Sequence, residues 1–152
     1  MNYLLDTDVL SITSPASHVA GDAVDEWRRW VRDNTDRIHL TAITIMEVRF
    51  GVENLRSKGR HQKADALAKW LLISETLYRD RIVWISPEIA HKAGQMLSIA
   101  ASSGYRPGAE DALIAASAAV LGMRLVSRNL RHMKALGSDC LDPLSALPTT
   151  EG

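Results

Sequence analysis

The sequence is poor in cysteine and carries no excess of either charge. Cys140 is the only cysteine in 152 residues, so the chain can form neither an internal disulfide nor a cysteine-based zinc site. Eighteen basic residues balance eighteen acidic residues, so the chain has no net positive charge to attract nucleic acid or an anionic membrane. We therefore expect a cytoplasmic protein in which any contact with nucleic acid is local.

Long hydrophobic runs are absent as well. The longest nearly apolar stretch, residues 112–123, is shorter than the ~20 residues that a membrane-spanning helix needs. Met1 leads into an apolar segment without a basic, cleavable leader, so export is not expected. With 46% hydrophobic and 24% charged residues, the composition excludes a disordered chain and favours a compact domain without membrane contact.

The order of apolar segments predicts the fold class. No internal repeat and no long linker divides the chain, which predicts a single domain over residues 1–152. Helical patterns separate nearly all of the short apolar runs that are typical of buried strands, and this alternation indicates a three-layer α/β/α fold with a mostly parallel sheet. The predicted strands are residues 3–5, 38–40, 81–85, 124–126 and 140–141.

Capping signals and apolar periodicity predict the helices. Thr44 stands three residues before Glu47, a capping-box spacing that predicts a helix from Thr44 to Ser57 with Glu47 in its first turn. Pro87 is typical of a first helical position, and residues 110–121 predict a mostly buried helix. Two further helices are predicted near residues 19–33 and 62–78.

Polar side chains collect at one predicted edge of the sheet. Two acids follow the first strand, one opens the helix after the second, one opens the helix before the fourth, and two polar residues follow the fourth strand. Ligands of open parallel sheets bind beyond the carboxyl ends of the strands, which makes all six residues candidates for a site. In this order, they are Asp6, Asp8, Glu47, Asp111, Ser127 and Asn129.

Each candidate also has a local explanation as a helix cap or a first-turn acid, but four such acids at one edge favour a shared function. Neighbouring carboxylates repel one another and raise at least one pKa unless a cation joins them. Oxygen ligands select Mg²⁺ or Mn²⁺ over zinc, and such an ion activates water for attack on a phosphoryl group. The predicted chemistry is therefore phosphodiester hydrolysis.

Four segments, in order, resemble the motifs of PIN-domain ribonucleases. They are residues 4–11 (LLDTDVLS), 44–51 (TIMEVRFG), 110–116 (EDALIAA) and 126–129 (VSRN). The chain is most similar to the VapC toxins of bacterial toxin–antitoxin pairs, including their FitB-like branch. The resemblance implies a Mg²⁺- or Mn²⁺-dependent endoribonuclease that a VapB-like antitoxin inhibits. It also implies a homodimer that meets DNA only through the antitoxin.

The resemblance assigns roles to the candidate acids. Asp6, Glu47 and Asp111 fall on the family's metal-binding positions, and Asp8 falls on a residue that lines the site. Asn129 stands where many members carry a fourth acid, which favours one firmly bound ion. The resemblance thus implies a catalytic set of Asp6, Glu47, Asp111 and Asn129.

Residues around Asn129 receive supporting roles. Ser127 would help Asn129 to orient the attacking water or a metal ligand. His132 stands where FitB-like members often have aspartate; it could shuttle a proton, or it could be a surface histidine without a role. Basic residues on the same helix could contact RNA phosphates, or form only a solvated face. They are Arg128, Arg131 and Lys134.

Large aromatic residues suggest where an antitoxin binds. Trp27, Trp30 and Trp70 lie on charged predicted helices, so they either pack in the core or anchor an interface. In the family, the helices around the second motif form a groove for an antitoxin peptide. An acidic or amphipathic partner segment could meet the basic residues beside these tryptophans, which are Arg28, Arg29 and Arg32.

Two other functions are compatible with the motifs. A small haloacid-dehalogenase-like phosphatase also runs a strand into Asp-x-Asp, with Asp6 as nucleophile and Asp8 as acid and base. The second alternative is a non-catalytic PIN-fold binding protein. The first lacks a convincing partner lysine and late acidic pair, and the second gives no reason to keep three repelling carboxylates.

Overall fold

The computed structural model describes residues 1–149, and within them five parallel strands form one sheet in the order β3-β2-β1-β4-β5. Residues 150–152, which the single-domain prediction includes, lie outside the described residues. Because β1 lies between β2 and β4, the strand order reverses at β1, and a ligand site is expected at the carboxyl ends of β1 and β4. The strands are β1 (Tyr3–Leu5), β2 (Ile38–Thr41), β3 (Ile82–Val83), β4 (Arg124–Val126) and β5 (Cys140–Leu141).

Helices cover both faces of the sheet, because adjacent strand residues point to opposite sides. Leu4 and Leu125 pack against α5, α6 and α7, whereas Tyr3, Leu5 and Val126 pack against α1 and α2. Helices α3 and α4 share a further apolar cluster of their own. The predicted three-layer fold is therefore confirmed. In the described residues, the helices are α1 (Thr7–Ser11), α2 (Asp22–Asp33), α3 (Ala42–Ser57), α4 (His61–Leu77), α5 (Pro87–Ser102), α6 (Ala109–Leu121) and α7 (Leu130–Ala135).

The start of α3 differs from its prediction. Thr41, rather than Thr44, is the N-cap, and its Oγ1 accepts a hydrogen bond from the Thr44 N–H at 3.2 Å. The helix therefore begins two residues earlier, at Ala42, and Glu47 lies in its second turn. The predicted capping box was wrong, because Thr41 offers the same hydroxyl cap directly at the end of β2.

The edge strand β3 is shorter than predicted. Arg79–Arg81 forms a 3₁₀ turn, and only Ile82 and Val83 pair with β2. Arg81 contacts β2 through its side chain instead, because its Nε donates to the Ile38 carbonyl at 3.1 Å. Trp84 then leaves the sheet with 81% of its surface exposed.

Two of the tryptophans predicted to line an antitoxin groove belong to the core. Trp27 is fully buried and Trp30 is 7% exposed, and their rings stack with centroids 5.3 Å apart. Their indole N–H groups donate to the carbonyls of Val9 and Pro148. The groove prediction was therefore wrong for both residues, since neither offers a side-chain surface to a partner, and only Trp70 keeps partial exposure.

Residues 1–149 contain no candidate membrane-spanning helix. None of their helices combines the length and the apolar character that a bilayer span requires.

Candidate active site

Asp6 lies at the carboxyl end of β1, beside the end of β4. Its backbone N–H donates to the Val126 carbonyl at 2.9 Å, which extends the pairing of the two strands by one residue. One side-chain oxygen caps α1 by accepting from the Thr7 N–H at 2.8 Å, and the other accepts from Ser127 Oγ at 2.7 Å. Asp6 is thus both the helix cap and a nearly buried acid at the strand-order reversal, with 5% exposure.

Glu47 reaches the same end of the sheet from α3. Thr7 Oγ1 donates to Glu47 Oε1 at 2.6 Å, and the same hydroxyl lies 3.0 Å from Thr44 Oγ1. Because a hydroxyl has one proton, Thr7 donates to Glu47 and accepts from Thr44. Sequence reasoning missed this role for Thr7, although its position between the two acids of Asp-Thr-Asp was a signal.

Asp111 lies in the first turn of α6 and contacts two residues at the start of α7. Its Oδ2 is 3.3 Å from Asn129 Nδ2 and 2.9 Å from His132 Nδ1. Asn129 occupies the N-cap position of α7 without capping it, because its side chain turns to Asp111. Its backbone N–H donates to Ser127 Oγ at 2.9 Å, so Ser127 links Asn129 to Asp6.

Asp8 lies at the margin of this group. Its Oδ2 accepts from the Arg128 backbone N–H at 3.0 Å. The residue as a whole is exposed, but protein atoms displace part of the water around its carboxyl group. Loss of water around the carboxyl and repulsion from Asp6 raise the pKa of Asp8 to about 7, while the Arg128 hydrogen bond opposes this rise.

The three inner carboxylates share one electrostatic environment. Burial raises the pKa of Asp6, the hydrogen bonds from Ser127 and Thr7 lower it, and the charge of Asp111 raises it further. Burial also raises the pKa of Glu47, against the Thr7 hydrogen bond, and the charges of Asp6 and Asp111 add to the rise. Asp6 and Glu47 are therefore costly to ionise without a nearby cation.

The donor set fits a hard divalent cation by its chemistry. Asp6, Glu47 and Asp111 offer oxygen atoms alone, and their mutual repulsion is what a bound cation relieves. Within residues 1–149, however, no three acidic, histidine or cysteine side chains already stand close enough together to hold an ion. These three residues are the ones that could hold Mg²⁺ or Mn²⁺ after their side chains converge.

Basic and apolar surfaces flank the acids. Arg128, Arg131 and Lys134 are exposed on the turn after β4 and on α7, and the Arg131 guanidinium lies 5.5 Å from the centre of the Tyr105 ring. On the side of α3, the exposed side chains Met46 and Phe50 line a pocket with Glu47 and Glu110. Sequence reasoning did not single out Met46, Phe50 or Tyr105.

A separate groove lies between α1, α2 and α4. Trp70 lines it together with Ile73 and Leu77 of α4. Arg28 and Arg32 of α2 also line the groove, so it combines an apolar surface with two cationic side chains. Arg28 lies 3.7 Å from Asp25, and Arg32 lies 3.9 Å from Asp33.

Comparison with known proteins agrees with this fold. The model of the PIN domain family matches residues 3–137. FitAcB from Neisseria gonorrhoeae has a similar structure, with a TM-score of 0.79, 27% identity, and coverage of 93% of this chain and 97% of that chain. FitAB bound to an IR36 DNA fragment gives the same TM-score and identity over 98% of this chain and 99% of that one.

More distant structures share the fold alone. VapBC2 from Rickettsia felis, bound to a DNA fragment from its promoter, gives a TM-score of 0.66 at 21% identity, with coverage of 93% and 98%. Curated protein sequences give no match. Because the family model extends over most of the sequence, from the first strand to the end of α7, the chain belongs to the PIN domain family.

Proposed function

We propose that this protein is a Mg²⁺- or Mn²⁺-dependent endoribonuclease that acts as the toxin of a type II toxin–antitoxin pair. One observation carries the proposal: Asp6, Glu47 and Asp111 of a PIN domain come from three elements and interact through their charges where the strand order reverses. Once their side chains converge, carboxylates that share one electrostatic environment would bind a hard cation, and a hard cation suits attack on a phosphodiester.

The chain's own residues have separable tasks in this reaction. Asp6, Glu47 and Asp111 would hold the ion directly or through water, and the bound ion supplies an activated water and neutralises charge on the phosphoryl group. Ser127 fixes Asp6 through its 2.7 Å hydrogen bond, and Thr7 fixes Glu47 through a bond of 2.6 Å. Asn129 orients the attacking water or a ligand of the ion.

The basic surface beside the acids supports RNA as the substrate. The chain has no net charge, so contacts to RNA phosphates must come from a local group of cations. The exposed residues of this group follow β4 directly and lie next to Asn129 in the sequence. They are Arg128, Arg131 and Lys134.

The antitoxin partner would occupy the groove between α1, α2 and α4. Trp70, Ile73 and Leu77 offer apolar contacts, and Arg28 and Arg32 suit an acidic or amphipathic segment. FitAcB and FitAB, which are similar in structure, support an antitoxin partner for this chain. We extend the proposal to a cytoplasmic homodimer that binds DNA only through the antitoxin.

The phosphatase alternative is disfavoured by the position of Asp6. A nucleophile must present an oxygen to the bulky phosphoryl group, but Asp6 is 5% exposed and both of its carboxylate oxygens accept hydrogen bonds. A small ion, directly or through water, needs only the second lone pair that each oxygen keeps. Beryllofluoride tests this alternative directly, because it traps enzymes that form an aspartyl-phosphate and does not trap a nuclease.

The decisive experiment is cleavage of end-labelled total transfer RNA by wild-type protein and by Asp111→Asn. Each protein is incubated with Mg²⁺, with Mn²⁺ and with EDTA. We expect discrete fragments only from the wild type and only with a metal. Failure of the wild type to cut transfer RNA, ribosomal RNA or messenger RNA under every condition would contradict the proposed activity.

A further inference from the structure

Three polar atoms beside the candidate active site form a tight triangle. His132 Nδ1 lies 2.9 Å from Asp111 Oδ2 and 2.9 Å from Asn129 Nδ2, and the third side of the triangle, from Asn129 to Asp111, is 3.3 Å. Asn129 has a clear task in this group as a donor to Asp111. His132 has none in the reaction described above, although it makes the shorter contact with the same oxygen.

The proton on the imidazole decides whether the triangle is favourable. If Nδ1 lacks a proton, its lone pair faces the Asp111 oxygen across 2.9 Å, and two acceptors repel each other. If Nδ1 carries the proton, His132 and Asn129 both donate to Asp111 Oδ2. The second arrangement leaves the two nitrogens as donors 2.9 Å apart, but both hydrogens point to Oδ2 rather than to each other, and the negatively charged oxygen gains two donors. The hydrogen-bond network therefore favours a proton on Nδ1.

Packing holds the imidazole ring in the orientation that this bond requires. The Tyr105 ring meets the His132 ring edge to face, with centroids 5.2 Å apart, and Arg131 lies over the Tyr105 ring. His132 is also fixed from its backbone, because it lies in the first turn of α7. A ring held from two sides loses little freedom when it donates to Asp111.

We propose that His132 is a positioning residue, which donates from Nδ1 to Asp111 Oδ2 and holds this carboxylate ready to bind the metal through Oδ1. Among residues 1–149, Oδ1 of Asp111 accepts no hydrogen bond, so both of its lone pairs are available to an ion. The inference rests on the proposed function only for the presence of the metal. Partners that orient a metal-binding carboxylate commonly change metal affinity by about 10–100-fold when they are removed.

Three substitutions separate positioning from packing. His132→Asn keeps an N–H group near the place of Nδ1, His132→Gln moves it to the place of Nε2, and His132→Ala removes it. Mn²⁺ binding is measured by electron paramagnetic resonance, and the thermal midpoint of each metal-free variant reports folding. We expect Mn²⁺ affinity to fall by about 10–100-fold in the Gln and Ala variants and to stay close to wild type in the Asn variant.

A metal-free measurement tests the same hydrogen bond. Nitrogen-15 NMR of the imidazole reports which ring nitrogen carries a proton, and we expect a proton on Nδ1 in the wild type at neutral pH. Asp111→Ala removes the acceptor. In this variant we expect that the proton is no longer held on Nδ1 in preference to Nε2. An unprotonated Nδ1 in the wild type would overturn the proposal.

Other outcomes separate this inference from the proposed function. Equal Mn²⁺ affinity in all four proteins would overturn the positioning role, even if the wild type cleaves RNA. Splitting of the Mn²⁺ signal by a histidine nitrogen would overturn it too, because His132 would then be a ligand. If the wild type cuts no RNA but the variants lose Mn²⁺ affinity in the predicted order, the ribonuclease proposal fails and the positioning role stands.

Discussion

Ser127 Oγ donates a hydrogen bond of 2.7 Å to Asp6 Oδ2, although the two residues are 121 positions apart in the chain. The bond joins the carboxyl ends of β1 and β4, where the strand order reverses. It also lowers the pKa of a nearly buried acid that desolvation raises. Ser127 therefore contributes to both the fold and the charge of the candidate site.

Ser127→Ala is expected to destabilise the protein by about 1–3 kcal/mol, because it leaves a buried carboxylate oxygen without its donor. Ser117→Ala is the matched control. Ser117 is also fully buried, but its hydroxyl bonds to the Leu113 carbonyl within α6, which is already part of a helix. Urea unfolding of both variants measures the difference. Equal losses in the free energy of unfolding would show that the bond to Asp6 stabilises the protein no more than the bond within α6.

Thr7 is expected to hold the Glu47 carboxylate in position, in addition to any contribution to stability. Thr7→Val keeps the shape of the side chain but removes the 2.6 Å hydrogen bond to Glu47, so we expect a loss of about 10–100-fold in metal affinity and RNA cleavage. Thr13→Val is the control, because the Thr13 hydroxyl bonds only to the Leu10 carbonyl at the end of α1. Similar losses in both variants would point to a general effect on α1.

The sequence was sufficient to predict the order of the five strands, apart from the length of β3, and the edge of the sheet where the acids lie. Short buried runs separated by amphipathic helices specify a parallel sheet, and acids at the ends of β1 and the start of α6 then fall at one edge. The same reasoning placed Ser127 and Asn129 correctly at the end of β4.

Features that depend on side-chain direction were not predictable from the sequence. Helical spacing shows that Trp27 and Trp30 share a face, but not whether that face meets the sheet or a partner. The contact of His132 with Asp111 depends on the angle between α6 and α7, which no local pattern encodes. Thr41 and Thr44 both suit a helix cap, and only the end of β2 decides between them.

The raised pKa values predict that the metal-free protein loses stability as the pH rises. Asp8 has a pKa of about 7 in the folded protein against a reference value of 3.8, so the folded state binds a proton that the unfolded state has released. The free energy of unfolding therefore falls between about pH 4 and pH 7. Asp6 and Glu47 shift in the same direction and add to the fall.

Asp8→Asn removes the carboxyl group whose pKa rises to about 7. We expect a flatter pH dependence and a gain of about 1 kcal/mol above pH 7; the gain is small because solvent reaches the Asp8 side chain and screens its charge. Unfolding in urea with EDTA, from pH 4 to pH 8, measures both effects. If the wild type became more stable as the pH rose from 4 to 8, the raised pKa of Asp8 would be contradicted.

The burial of Trp30 predicts that replacing it by alanine costs much more free energy of unfolding than replacing the exposed Trp84. Trp30→Ala would open a cavity beside the ring of Trp27 and leave the Pro148 carbonyl without its donor, at a cost of about 3–5 kcal/mol in urea unfolding. Trp84→Ala is the matched control at 81% exposure, and we expect a change within about 0.5 kcal/mol. Comparable costs in the two variants would mean that Trp30 is not part of the core.

The expected cost makes Trp30→Ala unsuitable as a probe of antitoxin binding, because loss of folding would imitate loss of the complex. A substitution at Trp70 tests the groove instead.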